Sequence, residues 1–303
     1  LMAMPPMRHL LEAALAKRIP LRTPETDALR LIDGEGDDLP GLELEDFAGR
    51  WLLSTRDRQP PREMVEWLRE KKRSVYWKRL DQQQKESPSH LCGPEQETPF
   101  TIHENGLAFE ISFQSGYSQG IFLDQRDNRA ELRSRLKPGT TLLNTFAYTG
   151  AFSAFAAAAG ATTTTLDLAQ PYLDWAKRNF LLNGFDPAEH FFCKGDTFHW
   201  LARFAKQGRK FDGIVLDPPT FSRDKDGKVF RVEKDYGLLA KLAFDCLAPG
   251  GFLLASTNCR TLSPRAFESQ VKSATKLVVS TRHAPMPADF RGEPYLKSLW
   301  VEA

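Results

Sequence analysis

The pattern of apolar and polar positions changes near the middle of the chain. Between residues 26 and 113, short apolar runs alternate with turn residues and are interrupted by one amphipathic helix at 61–72. From residue 127 onward, strand-length apolar runs alternate regularly with helix-length stretches. Such alternation predicts a parallel sheet with helices on both faces. We therefore expect a small α+β domain followed by a larger α/β domain.

The predicted domains are a lead-in arm at 1–25 with a short helix at 7–17, a small α+β domain at 26–113, and an α/β domain at 114–303. The α/β domain should contain a mostly parallel, Rossmann-like sheet of seven strands: 141–145, 163–168, 191–195, 211–216, 251–256 and a closing antiparallel hairpin of 277–283 and 295–301. The stretch 81–99 is rich in Gln, Glu, Ser and Pro and predicts a mobile loop.

Composition narrows the classes of protein without selecting one. With 303 residues and 41% hydrophobic content, the chain can bury a sizeable core. The net charge of +2 means that any basic binding surface must be local. Four cysteines without a C-x-x-C pair argue against a zinc site or a disulfide framework, so we predict no metal and a reducing cytoplasm. No apolar run is long enough to span a bilayer, and the start lacks the apolar run of a signal peptide.

The segment T-T-L-L-N-T-F-A-Y-T-G at 140–150 is the first strand–turn–helix unit of the α/β domain. In an open α/β sheet this unit lies beside a nucleotide-like ligand. A dinucleotide pyrophosphate needs several glycines in the turn for close backbone approach, whereas this turn has only Gly150. The turn therefore disfavours a nicotinamide dehydrogenase and favours S-adenosyl-L-methionine, which carries no phosphate.

Two carboxylates end the next predicted strands. Asp167 follows the turn by about 20 residues, where a side chain can accept both ribose hydroxyls of a nucleoside. Asp196 ends the following strand and can hold an adenine amino group. Each can instead cap the helix that follows it, and nearby Phe198 and Trp200 fit an adenine-stacking wall as well as a core.

The motif Asp-Pro-Pro-Thr-Phe at 217–221 ends the fourth predicted strand. Pro218 and Pro219 remove backbone donors and fix a bend, so Asp217 and the following carbonyls can point into the crevice. Methyl transfer needs an in-line approach, with carboxylate and carbonyl groups steering a proton. An unstacked base can lie over Phe221 while Asp217 reads its edge.

Four segments resemble the large-subunit ribosomal RNA methyltransferases that modify cytosine C5 or guanine N7. They are F-L-D-Q-R-D-N-R at 122–129, N-T-F-A-Y-T-G at 144–150, Asp167-Leu168 followed by Y-L-D-W-A-K-R-N at 172–179, and D-P-P-T-F-S at 217–222. The resemblance runs from about residue 28 to the C-terminus and implies a class I S-adenosylmethionine fold. The RNA-binding PUA barrel that usually begins the cytosine enzymes has no room in residues 1–27.

The resemblance also implies which residues bind the cofactor. Phe122, Asp124 and Arg126 would enclose its methionine end, Asp167 its ribose and Asp196 its adenine. The other residues implied around the cofactor are Asn144, Phe146, Tyr148, Thr149, Gly150, Leu168, Thr197 and Asp217.

The segment S-T-N-C-R at 256–260 separates the two branches of this family. Cytosine C5 enzymes need a thiolate that attacks C6, and the cysteine column of their Ser-Cys-Ser motif holds Asn258 here. Cys259 lies one residue beyond, and a one-residue shift turns a side chain to the other face of a strand. The segment is instead similar to the Ser-Asn-Asn-x-Arg of the guanine N7 branch, which Thr220 also matches. We therefore favour N-methylation of guanine, and the predicted catalytic residues are Asp217, Pro218, Pro219, Phe221 and Asn258.

Basic residues form two groups that fit either a solvated face or phosphate positioning on RNA. One group follows the D-P-P-T-F motif and consists of Arg223, Lys225, Lys228 and Arg231. The other lies in the small domain and consists of Arg69, Lys71, Lys72, Arg73, Lys78 and Arg79. The leading hypothesis is a methyltransferase that acts on a base of large-subunit (23S-type) ribosomal RNA. A small-molecule or protein acceptor and a non-catalytic RNA-binding module are the alternatives, and the oligomeric state stays open.

Overall fold

A computed structural model describes residues 5–56, 59–81, 85–96, 99–223 and 229–303, and it divides the chain into two compact units. The first comprises Leu1–Arg126 and Pro287–Pro294, and the second comprises Asp127–Met286 and Tyr295–Ala303. These boundaries differ from the predicted ones at 25 and 113. The predicted arm belongs to the first unit because its helix buries Leu11 and Ala14 completely in the core of that unit.

The first unit is built on a five-stranded sheet in the order β1-β2-β3-β4-β5. Its elements are α1 (Met7–Arg18), β1 (Ala28–Asp33), β2 (Leu42–Phe47), β3 (Arg50–Thr55), α2 (Arg62–Glu70), β4 (Ser74–Arg79), β5 (Ser89–Cys92), β6 (Phe100–Glu104) and β7 (Leu107–Ile111). β3 and β4 run parallel because α2 connects them, and the other neighbours are antiparallel. Trp51 of β3 stacks on Trp67 of α2 inside the core, with 5.8 Å between ring centroids.

Strand β5 lies within 81–99, where the sequence predicted a loop, so this part of the prediction is wrong. Leu91 and Cys92 supply two apolar positions that pack on the core of the first unit. β4 offers a free edge, on which Val75 pairs with Cys92. Burial of these two side chains and pairing on that edge outweigh the polar composition of the surrounding stretch.

The second unit contains a seven-stranded sheet in the order β10-β9-β8-β11-β14-β16-β15. Its elements are α3 (Arg126–Arg135, whose first residue ends the first unit), β8 (Thr141–Thr145), α4 (Ala151–Ala158), β9 (Thr162–Asp167), α5 (Gln170–Leu182), β10 (Phe191–Lys194), α6 (Thr197–Lys206), β11 (Phe211–Leu216), β12 (Phe221–Arg223), β13 (Val229–Arg231), α7 (Val232–Phe244), β14 (Leu247–Thr257), α8 (Pro264–Ser273), β15 (Ser280–Ala284) and β16 (Lys297–Glu302).

The predicted class I fold is confirmed by this sheet. Five strands are parallel, and β16 runs antiparallel to both β14 and β15, as the hairpin prediction required. Leu143 of β8 faces a core shared with α6, α7 and α8, whereas its neighbour Asn144 faces α4. Alternation along the strand therefore places helices on both faces of the sheet. Within the described part of the chain, no helix combines the length and apolarity needed to cross a membrane.

Candidate active site

The predicted site residues of the second unit follow the carboxyl ends of its parallel strands. β8 lies between β9 and β11, so the connections diverge on its two sides. Ligands bind at such a switch point in doubly wound sheets. Two turns leave this point: the glycine turn (146–150) after β8 and the proline turn (217–221) after β11. Their strands are neighbours, with Thr145 opposite Leu216.

Three alternate residues of the glycine turn adopt left-handed backbone conformations. The φ angles are 50° for Phe146, 51° for Tyr148 and 75° for Gly150. For a residue with a Cβ atom this conformation costs roughly 1–2 kcal/mol. Such backbone persists only where the surrounding structure holds it, and it is commonest at binding sites.

The end of β9 supplies part of this support. The Ala147 N–H donates to the Leu166 carbonyl at 3.0 Å, and the Tyr148 N–H donates to Asp167 Oδ2 at 2.8 Å. These two backbone donors of the bend therefore have partners, one of which is a charged acceptor. The predicted ribose ligand is thus also a structural partner of the glycine turn.

Helix α5 supplies the rest of the support, which explains its Y-L-D-W-A-K-R-N segment. Asn179 is fully buried, and its Nδ2 donates to the Thr149 carbonyl at 2.9 Å. Tyr172 packs edge-on against Tyr148, with 4.7 Å between ring centroids. At Gly150 a Cβ atom would lie 2.7 Å from the Ala176 Cβ. Gly150 is therefore required both by its φ angle and by the close approach of α5.

Asn144 and Thr149, predicted to line the cofactor cleft, have side chains that are each 1% exposed. Asn144 Nδ2 donates to Ser153 Oγ at 3.0 Å, and Thr165 Oγ1 donates to the same oxygen at 2.8 Å. Because position 144 alternates with the residues facing the main core, the Asn144 side chain reaches α4. Through Ser153, these hydrogen bonds connect strands β8 and β9 to helix α4, which covers the sheet.

Asp167 is held by backbone donors on both sides. Besides Tyr148, the Ala169 N–H donates to its Oδ1 at 2.9 Å. Burial raises the pKa of Asp167, although these hydrogen bonds favour its charged form. Next to it, the apolar Leu168 side chain is 54% exposed. A part-buried carboxylate beside an exposed apolar side chain is a suitable surface for a nucleoside.

Asp196 caps α6, as the alternative interpretation of this residue predicted. Its Oδ1 accepts the His199 N–H at 2.9 Å, and its side chain is exposed. Within the described residues its Oδ2 has no hydrogen-bond partner, so capping leaves one oxygen for a ligand. The adjacent Thr197 is buried at 4% exposure.

The aromatic residues beyond Asp196 pack within the unit. Phe198 lies 5.6 Å from the Phe230 ring centroid at the margin of the core. Trp200 Nε1 donates to the Lys194 carbonyl at 3.2 Å. These contacts agree with the core interpretation of both side chains.

The proline turn presents its side chains at the same sheet edge. Pro218 is buried, Asp217 is half-buried and Pro219 is exposed. Phe221 is 52% exposed, and the Arg231 guanidinium carbon lies 5.8 Å from its ring centroid. An exposed aromatic ring beside a cation is a surface on which a base can stack.

Asn258 lies next to this turn because β14 is the parallel neighbour of β11. Thr220 Oγ1 donates to Asn258 Oδ1 at 2.7 Å. Thr220 is itself held by α7, since its carbonyl accepts the Val232 N–H at 3.2 Å. The structure therefore brings together two residues, from separate motifs, that both match the guanine branch.

Tyr236 was not identified from the sequence, although it connects the ends of the same two strands. Its hydroxyl lies 3.0 Å from the Leu216 carbonyl and 3.1 Å from the Ser256 carbonyl, and shares its proton between them. The side chain is fully buried, and burial raises its pKa well above the ordinary tyrosine range. No local motif marks this residue.

Cys259 faces away from Asn258. Its side chain is 1% exposed and belongs to the core, with Sγ 3.2 Å from Thr261 Oγ1. The Thr261 hydroxyl in turn donates to Glu233 Oε1 at 2.7 Å, and the Cys259 carbonyl accepts a hydrogen bond from Lys297 Nζ at 2.8 Å. Asn258 is exposed. The thiol and the amide thus point in different directions, as the one-residue shift predicts.

The residues implied for the methionine end of the cofactor belong to the first unit. Phe122 is 51% exposed and Asp124 is half-buried. Arg126 is buried and forms an ion pair with Asp289, donating from NH1 to Oδ2 at 3.1 Å. Asp289 also accepts the Arg30 N–H at 2.8 Å. The observed partner of Arg126 is therefore a structural carboxylate of its own unit.

The two basic groups differ in what the structure shows of them. Lys225 and Lys228 lie outside the described residues, and Arg223 is described only as part of β12. In the first unit, Lys71 pairs with Glu12 and Arg79 with Asp81, each within 3 Å. Lys78 donates to Gln119 Oε1 at 2.9 Å, and burial lowers its pKa. These three side chains have internal partners, so they do not form a free cationic stripe.

Comparisons with known proteins agree with this geometry. The family described as S-adenosylmethionine-dependent methyltransferase matches residues 65–294. The chain belongs to this family. The methyltransferase is 34% identical to the candidate ribosomal RNA large subunit methyltransferase YwbD of Bacillus subtilis, with 89% of this chain and 70% of the relative covered. It is 33% identical to a ribosomal RNA large subunit methyltransferase of Deinococcus radiodurans, with 96% and 78% covered.

The fold of this methyltransferase is also similar to solved structures. A candidate methyltransferase, SMU.776, complexed with SAH, superposes with a TM-score of 0.87 at 29% identity, covering 97% of this chain and 80% of that chain. This methyltransferase therefore uses S-adenosyl-L-methionine, as its sequence predicted. Within the described residues, no group of three or more His, Cys, Asp or Glu side chains is arranged to hold a metal ion.

The glycine turn and the residues at the ends of the two strands that follow it fit this cofactor. The turn has no room for a side chain at Gly150. Asp167 offers a carboxylate beside exposed Leu168, and Asp196 keeps one oxygen available among the described residues. Carboxylate acceptors for hydroxyl and amino groups next to an apolar surface are what an adenosine moiety requires.

Proposed function

We propose that this methyltransferase methylates a ring nitrogen of a guanine, N7 by resemblance, in large-subunit ribosomal RNA. The names of its relatives support ribosomal RNA as the acceptor. One observation carries the choice of base: within the 256–260 segment Asn258 is exposed, while the Cys259 thiol is buried in the core. Cytosine C5 chemistry needs an accessible thiolate, whereas guanine N7 is already nucleophilic.

In this proposal the glycine turn holds the cofactor. Asp167 accepts the ribose hydroxyls, and Asp196 accepts the adenine amino group while it caps α6. Leu168 provides an apolar contact for the nucleoside. Phe122, Asp124 and Arg126 stay predictions for the methionine end. When bound, the cofactor supplies an electrophilic methyl group on a sulfonium.

The proline turn and Asn258 act on the acceptor. Phe221 offers a face for the unstacked base, and Asn258 offers an amide to its edge. Methylation at a ring nitrogen leaves positive charge on the purine, so the carboxylate of Asp217 stabilises the charge that develops in the transition state. Proton removal is not needed at N7. Pro218 and Pro219 fix the bend that presents Asp217.

RNA contact is the part of the proposal that depends on the basic residues. Arg231 is exposed beside Phe221 and can contact a phosphate or the stacked base. Arg223, Lys225 and Lys228 extend the same cationic segment in sequence. An enzyme with this acceptor works where ribosomal RNA is matured, which supports the predicted cytoplasmic location.

Transfer of a labelled methyl group to unmodified large-subunit ribosomal RNA tests the proposal. We expect label in a methylated guanosine after nuclease digestion, and about a 100-fold lower rate for Asp217→Asn, because a preorganised charge contributes roughly 3 kcal/mol. Label in cytosine would contradict the proposed base. Label in protein or small-molecule fractions, with none in RNA, would contradict the acceptor.

A further inference from the structure

The contact between Thr220 and Asn258 joins the two motifs of the acceptor side. Asn258 is exposed, whereas Thr220 is half-buried and held at its carbonyl by the Val232 N–H. The Thr220 hydroxyl donates its proton to Asn258 Oδ1 at 2.7 Å. An asparagine amide has an acceptor end and a donor end. Thr220 occupies the acceptor end.

The donor end of Asn258 is consequently the end that a substrate meets. Within the described residues, Asn258 Nδ2 donates to no protein acceptor, and the side chain is open to solvent. Pro218 and Pro219 have no backbone N–H. The Asn258 amide therefore presents a hydrogen-bond donor at this corner of the site, next to Thr220.

Bases differ in which groups they present to a donor. Guanine carries the O6 and N7 acceptors on the edge where adenine carries N7 and the N6 amino donor, and cytosine carries the N4 amino donor. An outward-facing amide NH₂ can donate a hydrogen bond to O6 of guanine. It cannot form a hydrogen bond with an amino group at the same position, because both groups are donors. A site built to donate a hydrogen bond to O6 rejects an analogue with an amino group there, because the Asn258 amide and the amino group are then both donors without an acceptor.

We propose that Thr220 is a specificity-determining residue that fixes the orientation of the Asn258 amide, so that the site accepts a purine with a 6-carbonyl and rejects one with a 6-amino group. The inference rests on the proposed function, because it assumes that a guanine is the acceptor. It assigns Thr220 a positioning role: Thr220 acts through Asn258.

The test uses ligated large-subunit ribosomal RNA that carries guanosine, inosine or 2,6-diaminopurine riboside at the position that the enzyme methylates. Comparing these three substrates shows how strongly the enzyme depends on the group at purine position 6. Inosine keeps O6, whereas diaminopurine replaces it with an amino group. For the wild-type enzyme we expect similar kcat/KM on guanosine and inosine and about 30-fold lower kcat/KM on diaminopurine, within the range for one correctly paired base contact.

The variants isolate the hydroxyl of Thr220. Thr220→Val keeps the shape but releases the amide, so discrimination against diaminopurine should fall to about 3-fold while calorimetric binding of SAH stays unchanged. Thr220→Ser keeps the hydroxyl and should restore discrimination. A variant that fails to fold would lose SAH binding as well; Thr220→Ser then carries the test, because it must match the wild-type discrimination.

The outcomes separate the inference from the proposed function. A mapped cytosine would overturn the proposed base and the inference with it. A mapped guanine with unchanged discrimination in Thr220→Val would overturn only the role of Thr220. A wild-type preference for diaminopurine over inosine would show that the amide presents its oxygen, and would overturn the inferred orientation.

Discussion

The glycine turn after β8 and the proline turn after β11 lie at the ends of adjacent parallel strands, but different forces hold them. Backbone conformation defines the glycine turn, with left-handed residues at Phe146, Tyr148 and Gly150 fixed by buried partners. Two prolines define the other turn. The Thr220 hydroxyl bonds Asn258 just after β14, and the Tyr236 hydroxyl joins the Leu216 carbonyl to the Ser256 carbonyl of β14. The proposed cofactor side thus depends on close packing, whereas the proposed acceptor side depends on a few polar contacts.

This difference has a consequence for function. In the proposed function one cofactor must fit the glycine turn, and a tightly packed backbone tolerates little change. In the proposed function the acceptor is recognised by its base edge, which exposed side chains can read. Substitutions that disturb packing at the glycine turn should therefore have larger effects on stability and binding than substitutions that remove a polar contact at the proline turn.

Gly150→Ala should have the largest effect. Its Cβ would lie 2.7 Å from the Ala176 Cβ at a φ of 75°, so we expect a loss of about 2–4 kcal/mol in the free energy of unfolding. SAH binding should weaken more than about 100-fold because the turn must shift, as calorimetry would show.

Gly184→Ala is the matched control for this substitution. Gly184 has a φ of 74° and has nothing within 4 Å of a Cβ atom, so only the conformational cost of about 1–2 kcal/mol applies. If the two variants were equally destabilised and both bound SAH normally, close packing against α5 would not be what holds the glycine turn.

Asp167→Asn should lower SAH affinity about 50-fold, because charge-assisted hydrogen bonds to the ribose contribute roughly 2–3 kcal/mol. The fold should persist. Asp174→Asn, an exposed carboxylate on α5, is the control and should bind SAH normally. Unchanged SAH affinity in Asp167→Asn would show that Asp167 does not bind the ribose and only supports the backbone of Tyr148 and Ala169.

The same carboxylate predicts a pH dependence. Its pKa is raised by burial above the ordinary value of 3.8. Binding that needs the ionised form should therefore weaken as pH falls, starting above the range expected for an exposed aspartate. The contribution of Asp167 to the free energy of unfolding changes with pH in the opposite direction. Because its pKa is raised in the folded state, the group stabilises the fold at low pH, and this contribution is lost as pH rises through the folded-state pKa. Calorimetry and denaturation across this range would separate the two.

Tyr236→Phe should have a moderate effect on the acceptor side. Removing the hydroxyl leaves the Leu216 and Ser256 carbonyls without this donor, so we expect a loss of about 1–2 kcal/mol in stability and about a 10-fold lower kcat. SAH affinity should not change. Tyr76→Phe, which removes a buried hydroxyl from the first unit, should lose stability but keep kcat.

Cys259→Ala should have the smallest effect. Its buried thiol contacts Thr261, and the proposed chemistry does not use it. We expect kcat within about 2-fold of wild type and a loss of about 1 kcal/mol from the cavity. Cys246→Ala, another fully buried thiol whose pKa burial raises to about 11, should behave alike. A selective loss of activity in Cys259→Ala would indicate a covalent step.

The sequence predicts the second unit well because its signals are local. Strand and helix periodicities mark all seven strands of the sheet, and the single glycine of the 140–150 segment marks the crevice. Contacts between distant segments are harder to predict. The bond of Asn144 to Ser153 has no signal in its motif, and β5 depends on an edge that only the folded sheet offers.

The acceptor side shows the same limit more strongly. Asp217, Thr220 and Asn258 were identified from motifs, but their mutual arrangement depends on the pairing of β11 with β14. Tyr236 lies on a helix between the two motifs and has no signature of its own. Its role requires the two carbonyls that the sheet places beside it, which no local pattern contains.

Mass mapping of large-subunit ribosomal RNA from a strain that lacks this enzyme tests the central claim most directly. The account predicts that one guanine loses a ring-nitrogen methyl group, and that both the wild-type gene and Cys259→Ala restore it. A missing methyl group on cytosine carbon, restored by the wild type but not by Cys259→Ala, would contradict the account.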